Sequence, residues 1–163
     1  SAVLDLLYTL PVLDKNPMTA IAILSEIGPD MSVFPSSKHL VSWAGCCPRN
    51  DQSNQKVKSR RISRAGSYLK PLLVQVANAL IKSKKHPEFK ERYHRIKSRR
   101  GHKKAVIAVC KMLLTAIWNM LSKLEPYNPE GFLEHRPVRQ EKTLTVSQAL
   151  ELLRLRGYTI TNQ

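Results

Sequence analysis

The chain has 163 residues, 42% of them apolar, which is the size of one domain and enough to bury a core without a sulfur or metal staple. Its three cysteines, Cys46, Cys47 and Cys110, form neither an even framework nor a C-x-x-C pair, which argues against structural disulfides and a thiolate zinc site and fits a reducing cytoplasm. The formal net charge is +15, and residues 49–104 hold all of the excess, with 18 Lys+Arg against three acids, while the rest of the chain balances nine against nine.

The opening Ser1-Ala2-Val3-Leu4 has no methionine and starts inside an apolar segment, as expected of a piece of a longer protein. The first residues do not have the pattern of a secretory leader, and no uninterrupted apolar run of about 18 residues occurs, so neither a leader nor a membrane span is expected. Asn16-Pro17 reads as an N-cap with proline in the first turn, and Met18, Ala20, Ile21, Ile23, Leu24 and Ile27 continue a helix that Gly28-Pro29 stops. Ser36 or Ser37 caps a second helix through Leu40, Val41 and Trp43, ending at Gly45. Residues 17–45 thus have two readings: two packed helices, or a helix-hairpin-helix whose Gly28 turn offers backbone amides to a phosphate.

Pro48 leads into "NDQSNQKVKSRRIS", a polar stretch without periodicity that reads as a loop to about Ser63. Leu69, Leu72, Leu73, Val76, Ala77 and Leu80 restore a helical period, with Pro71 tolerable in the first turn of a helix starting near Ser67. Pro87 opens the basic helix "PEFKERYHRIKSRR", with Phe89, Tyr93 and Ile96 on one face and Gly101 at its close. The longest helix follows, from about His102 to Leu124, apolar on so much of its surface that it is expected at the centre of the core. Its polar ends argue against a membrane span. The stretch Glu125–Pro137 reads as a linker, and "TVSQALELLRLRG" as a capped amphipathic helix. The fold class expected is all-α, with residues 1–133 as one helical domain and 134–163 as linker and terminal helix.

The concentrated charge is the footprint of phosphate-backbone binding, because a generic solubility charge would be dispersed. The cations placed to serve it are Lys56, Lys58, Arg60, Arg61 and Arg64 in the polar stretch and Arg95, Arg99, Arg100, Lys103 and Lys104 around Gly101. Serine attack on a phosphodiester needs an exposed hydroxyl, cations to neutralise the transition state and an acceptor for the proton. Ser53, Ser59 and Ser63 lie among such cations, Asp51 is the acid nearest Ser53, and Ser63 equally suits a cap for the following helix. Tyrosine chemistry of the recombinase kind, at Tyr68 or Tyr93, would need an H-x-x-R box, and none of the five histidines has an arginine three residues on. The histidines have no metal-ligand spacing, and no metal site is expected in this chain. Trp43 and Trp118 fall on apolar helical faces, where core packing is the default.

Three stretches in this order, "LPVLDKNPMTAIAILSEIGPDMSVFPSSKHLVSWAGCCP", "NDQSNQK" with "ISRAGSYLKPLL", and "YHRIKSRRGHKKAVIAVCKMLL", resemble the C-terminal domain of the DEDD transposases and invertases of the Piv/MooV type. The resemblance covers roughly residues 6–133 and is most specific in the segment ending W-A-G-x-C-P. It implies a serine nucleophile in this domain and four metal-binding carboxylates in a separate N-terminal RuvC-like domain, where a divalent metal such as Mg is expected. It also implies DNA as substrate, a guiding bridge RNA for the insertion-sequence members, and action as a homo-oligomer. Matched position by position, the family's serine falls on Ser53 and its motif lysine on Lys56. Two departures stand out: Asn54-Gln55 replaces the motif glycine, and a proline-glycine turn before the first helix reads Pro11-Val12. Two function classes follow, a DNA strand-transfer domain or a non-catalytic nucleic-acid-binding module, with an assembly role for the 143–156 segment as a third.

Overall fold

The structure, a computed structural model, describes residues 1–47, 67–133 and 145–159. Pro17 and Gly28 bracket a helix, as the sequence predicts, and around it the chain builds eight α-helices and no strand among the described residues. In order they are α1 (Ala2–Leu7), α2 (Pro17–Ile27), α3 (Ser37–Trp43), α4 (Leu69–Lys82), α5 (Pro87–Arg100), α6 (His102–Lys123), α7 (Glu130–Leu133) and α8 (Val146–Leu155), with short 3-10 turns at Leu13–Lys15 and Met31–Val33. The chain divides into two compact units, Ser1–Pro129 and Glu130–Gln163.

In the first unit α6 is the core helix. It packs against α1, α3, α4 and α5, and buries Ala105, Val106, Val109, Cys110, Leu113, Leu114, Ile117 and Leu121. Its 22 residues are in fact long and apolar enough to cross a membrane by length and composition, so those two criteria do not exclude a span. Most of the apolar stretch is nevertheless buried inside the fold, as befits the centre of a helical core. Helix α2 buries Ala20, Ile23 and Ile27 and packs on α4, while α3 buries Leu40 and Val41 and packs on α6.

Both tryptophans bind the edge of this core. Trp118 donates its indole N–H to the Phe34 carbonyl at 2.9 Å, and the Phe34 ring meets Trp43 at 5.5 Å and 60°. The caps differ in detail from those the sequence suggests. Ser36 precedes α3 without capping a backbone amide; its hydroxyl instead shares a 2.8 Å hydrogen bond with His39 Nδ1. Asn16 turns its amide back to the Val12 carbonyl. Helix α4 starts at Leu69 behind Tyr68, with Pro71 in its first turn as expected; Ser63, the cap the sequence offers, lies outside the described residues. The departure at Pro11-Val12 has a backbone consequence. Val12 adopts φ 76, ψ −38, a left-handed conformation disfavoured for a β-branched residue.

In the second unit α8 carries a capping box between Thr145 and Gln148 and buries none of its residues.

Candidate nucleic-acid interface

Helices α5 and α6 meet at one residue. Gly101 is at once the C-cap of α5 and the N-cap of α6, with φ 85 and ψ 174, a region of backbone space that only glycine occupies readily. The turn brings the end of one basic helix against the start of another, so Arg99 and Arg100 approach Lys103 and Lys104 around a cleft of about 540 Å³. Its remaining cations come from other places in the chain, Lys70 in the first turn of α4 and Lys111 two turns into α6. Gly45, Cys46 and Cys47, just past α3, close another side, and Ile96, Ile107 and Ala108 supply the apolar part of the wall. Among the described residues, no carboxylate lines the cleft. All six cationic side chains are exposed and face whatever enters.

One contact spans the junction and another supports it from within α5. Tyr93, buried on α5, shares a 2.7 Å hydrogen bond between its hydroxyl and His102 Nδ1 at the start of α6, and Lys97 lies over the Tyr93 ring at 5.6 Å. Tyr93 is therefore a support for the cationic junction. Beneath the cleft, Cys46 and Cys110 are buried free thiols; Cys46 donates to the Ala44 carbonyl at 3.8 Å, and the two neighbouring thiols push the Cys46 pKa down, with Lys70 adding to the effect, and the Cys110 pKa up, where desolvation adds to it. Cys47 is free and exposed at the rim.

Of the candidate contact residues, the structure gathers Arg99, Arg100, Lys103 and Lys104 into the cleft; Arg95 is exposed on α5 but does not line it. Ser53, Lys56, Lys58, Arg60, Arg61 and Arg64 lie outside the described residues. The chain leaves the described residues at Cys47 and returns at Ser67, so the segment that holds them is joined at both ends to the neighbourhood of the cleft. Lys70 and Lys111 were missed in the sequence. Lys111 had a signal, since positions 103, 104, 107, 108 and 111 share one helical face; Lys70 had none, because its approach depends on how α4 packs on α6. Among the described residues, no group of three His, Cys, Asp or Glu is placed to hold a metal ion.

Residues 5–94 match the family described as transposase IS116/IS110/IS902. The chain belongs to this family. Among curated proteins it is 29% identical over 113 residues to the transposase for insertion sequence element IS1111A of Coxiella burnetii, covering 68% of this chain and 31% of that protein. It is also 27% and 29% identical over 126 residues to the pilin gene-inverting proteins of Moraxella lacunata and Moraxella bovis, covering 76% of this chain and 38% of each of them. The chain thus spans about a third of the length of these transposase and invertase relatives. No solved structure shows a significant match. The family match runs from α1 to the middle of α5 and includes the polar stretch with Ser53, Gly45 to Cys47 and Lys70.

Proposed function

We propose that this chain is the nucleic-acid-binding and strand-transfer part of a transposase, with Ser53 as the nucleophile. Two findings support the reading: membership of a transposase family, and a cleft that the described residues line with six cations and no acid, beside which the Ser53 segment begins and ends. The relatives named for transposition and for gene inversion share one chemical need, the breaking and rejoining of DNA strands.

Ser53 Oγ attacks a phosphodiester phosphorus, the bond from phosphorus to one sugar oxygen breaks, and the strand stays esterified to the serine until a second hydroxyl reverses the step. Energy is conserved in that ester, so no co-reactant is required. Negative charge gathers on the phosphoryl oxygens in the transition state, and Lys56, Lys58, Arg60, Arg61 and Arg64 are close in sequence to stabilise it. Asp51 is the nearest acid in sequence to receive the serine proton. Arg99, Arg100, Lys103 and Lys104 hold flanking phosphates, with Arg95 in support. A divalent metal such as Mg belongs to the RuvC-like domain outside this chain; the described residues do not form a ligand set for it, and no step here is derived through it. A bridge RNA and a second copy of the protein are the partners that the family resemblance adds.

The test is covalent trapping. Full-length transposase mixed with labelled substrate DNA is denatured and run on a gel; a protein–DNA adduct whose cross-linked peptide contains Ser53 is expected, and an adduct on another residue would sink the assignment.

A further inference from the structure

The cleft has a shape that the charge count alone does not convey. We propose that it takes an unpaired nucleic-acid strand by its phosphodiester backbone, one or two nucleotides deep, and leaves duplex to the convex surface around it. The inference rests on the proposed nucleic-acid function and names which form of nucleic acid this site holds.

Size comes first. A volume of about 540 Å³ corresponds to a space about 10 Å across, within the range of small-ligand sites. A B-DNA duplex is wider than its own major groove, which alone is about 12 Å across, so it can lie over the mouth but not enter. A single strand can enter, since its backbone is free to bend and each nucleotide is smaller than the cavity.

The lining points the same way. Lys70, Arg99, Arg100, Lys103, Lys104 and Lys111 reach the space from three helices, so phosphates inside it are surrounded, whereas phosphates on a duplex would meet only one side of such a ring. Six like charges gathered in one cleft repel one another, and an entering polyanion relieves that repulsion while releasing counterions. Among the described residues no aromatic side chain lines the cleft, so they give bases no stacking platform there. Recognition falls on phosphate and sugar, and the aliphatic wall of Ile96, Ile107 and Ala108 suits a sugar edge better than a base-specific contact.

DNA and RNA share this backbone chemistry, and the experiment separates them. Binding of labelled oligothymidine, oligouridine and a hairpin duplex to the 163-residue chain is measured for wild type, Lys70→Glu, Lys111→Glu and the control Lys90→Glu, which is exposed on α5 away from the cleft. Expected is a loss of about tenfold in unpaired-strand affinity for both cleft variants and less than about threefold for duplex, with Lys90→Glu below threefold for all. Equal affinity for oligothymidine and oligouridine supports pure backbone recognition; tighter oligouridine assigns the site to RNA, because only the 2′-hydroxyl distinguishes the two backbones. Equal losses for strand and duplex, or no loss for either, would overturn the proposal while the nucleic-acid function stood. Binding of neither form by the wild type would instead overturn that function. Lys70→Gln and Lys111→Gln, which remove charge without reversing it, keep the result decisive if reversal disturbs the fold.

Discussion

The hydroxyl of Tyr127 donates a 2.7 Å hydrogen bond to Glu88 Oε1. It ties the segment after α6 to the start of α5, more than one helix away in sequence. Glu88 is 8% exposed, and His86 Nδ1 stands 3.7 Å from the same oxygen, so this carboxylate among so many cations is a structural fastener. Its position in the first turn of α5 also suits the helix dipole, and Phe89 stacks on the Tyr127 ring beside it at 6.1 Å.

Replacing Tyr127 by Phe keeps the ring and removes one donor to a buried carboxylate. The expected loss is about 1.5–3 kcal/mol, the range for hydrogen bonds to charged groups, read from denaturant melts. The pH dependence has a definite sign. Burial and the neighbouring Glu88 hold the Tyr127 pKa well above its ordinary value of 10.0, so the folded state keeps a proton that the unfolded state releases. Stability from this source is complete below about pH 10 and declines as pH rises beyond it. The Tyr127→Phe protein should lack that component, so the gap between the two proteins narrows in alkaline solution; a constant gap would contradict the origin given.

Val12→Gly tests the strained turn. A left-handed conformation costs a non-glycine residue about 1–2 kcal/mol, and glycine would relieve that while losing about 0.5–1 kcal/mol through chain entropy and giving up the contacts of a half-buried valine. Stability within about 0.5 kcal/mol of wild type is expected, where Val76→Gly, in the buried face of α4, should lose at least 2 kcal/mol from the missing side chain and the helical glycine together. Calorimetry on the pair decides, and a loss at Val12 as large as that at Val76 would show that the turn carries no strain.

The contrast between these residues shows what was legible in the sequence. Pro17, Gly28, Pro87 and Gly101 act through backbone rules that need no neighbours, and the boundaries they set for α2, α5 and α6 stand in the fold. Helix α1 shows in the sequence only as an apolar segment, because six residues without a cap or a breaker give periodicity too little length. The union of Tyr127 with Glu88 and the approach of Lys70 to Lys111 depend on tertiary packing across 39 and 41 positions, which no local pattern encodes. Four of the cleft cations were visible because Gly101 sets them side by side in the chain; the other two needed the fold.

Charge reversal of Arg99 and Arg100, or of Lys103 and Lys104, should weaken nucleic-acid binding at least tenfold with no fall in melting temperature. All four are exposed and stand among like charges, so reversal removes repulsion in the free protein. Thermal melts beside binding titrations give both readings, and a large drop in melting temperature would mark these residues as part of the packing.

Salt gives an independent check. If about six phosphates are neutralised, the log–log slope of duplex affinity against salt should be near −5. An affinity that is flat from low to high salt would remove the phosphate footprint altogether.

Ser53→Ala in the complete transposase should abolish strand cleavage and change nucleic-acid binding by less than about threefold. The substitution deletes the nucleophile but only a neutral contact, worth about 0.5–1.5 kcal/mol at most. Cleavage assays and binding titrations on the same preparation separate the two effects, and cleavage at the wild-type rate would return the segment to a charged surface.

Gly101 also decides when ordering of the cleft is accounted for. A longer connection would let α5 and α6 swing, and each binding event would then have to freeze that motion before the four flanking cations could act together. With a single residue as the joint, the backbone beneath them is set once, at folding, and only side-chain rotamers remain to be fixed when an anion arrives. A Cβ at Gly101 would meet no atom within 4 Å, so Gly101→Ala has room for its methyl group; what it lacks is an easy φ, and the strain would be released by opening the angle between the helices. If the cleft binds nucleic acid as proposed, Gly101 tunes its affinity through entropy rather than through contact.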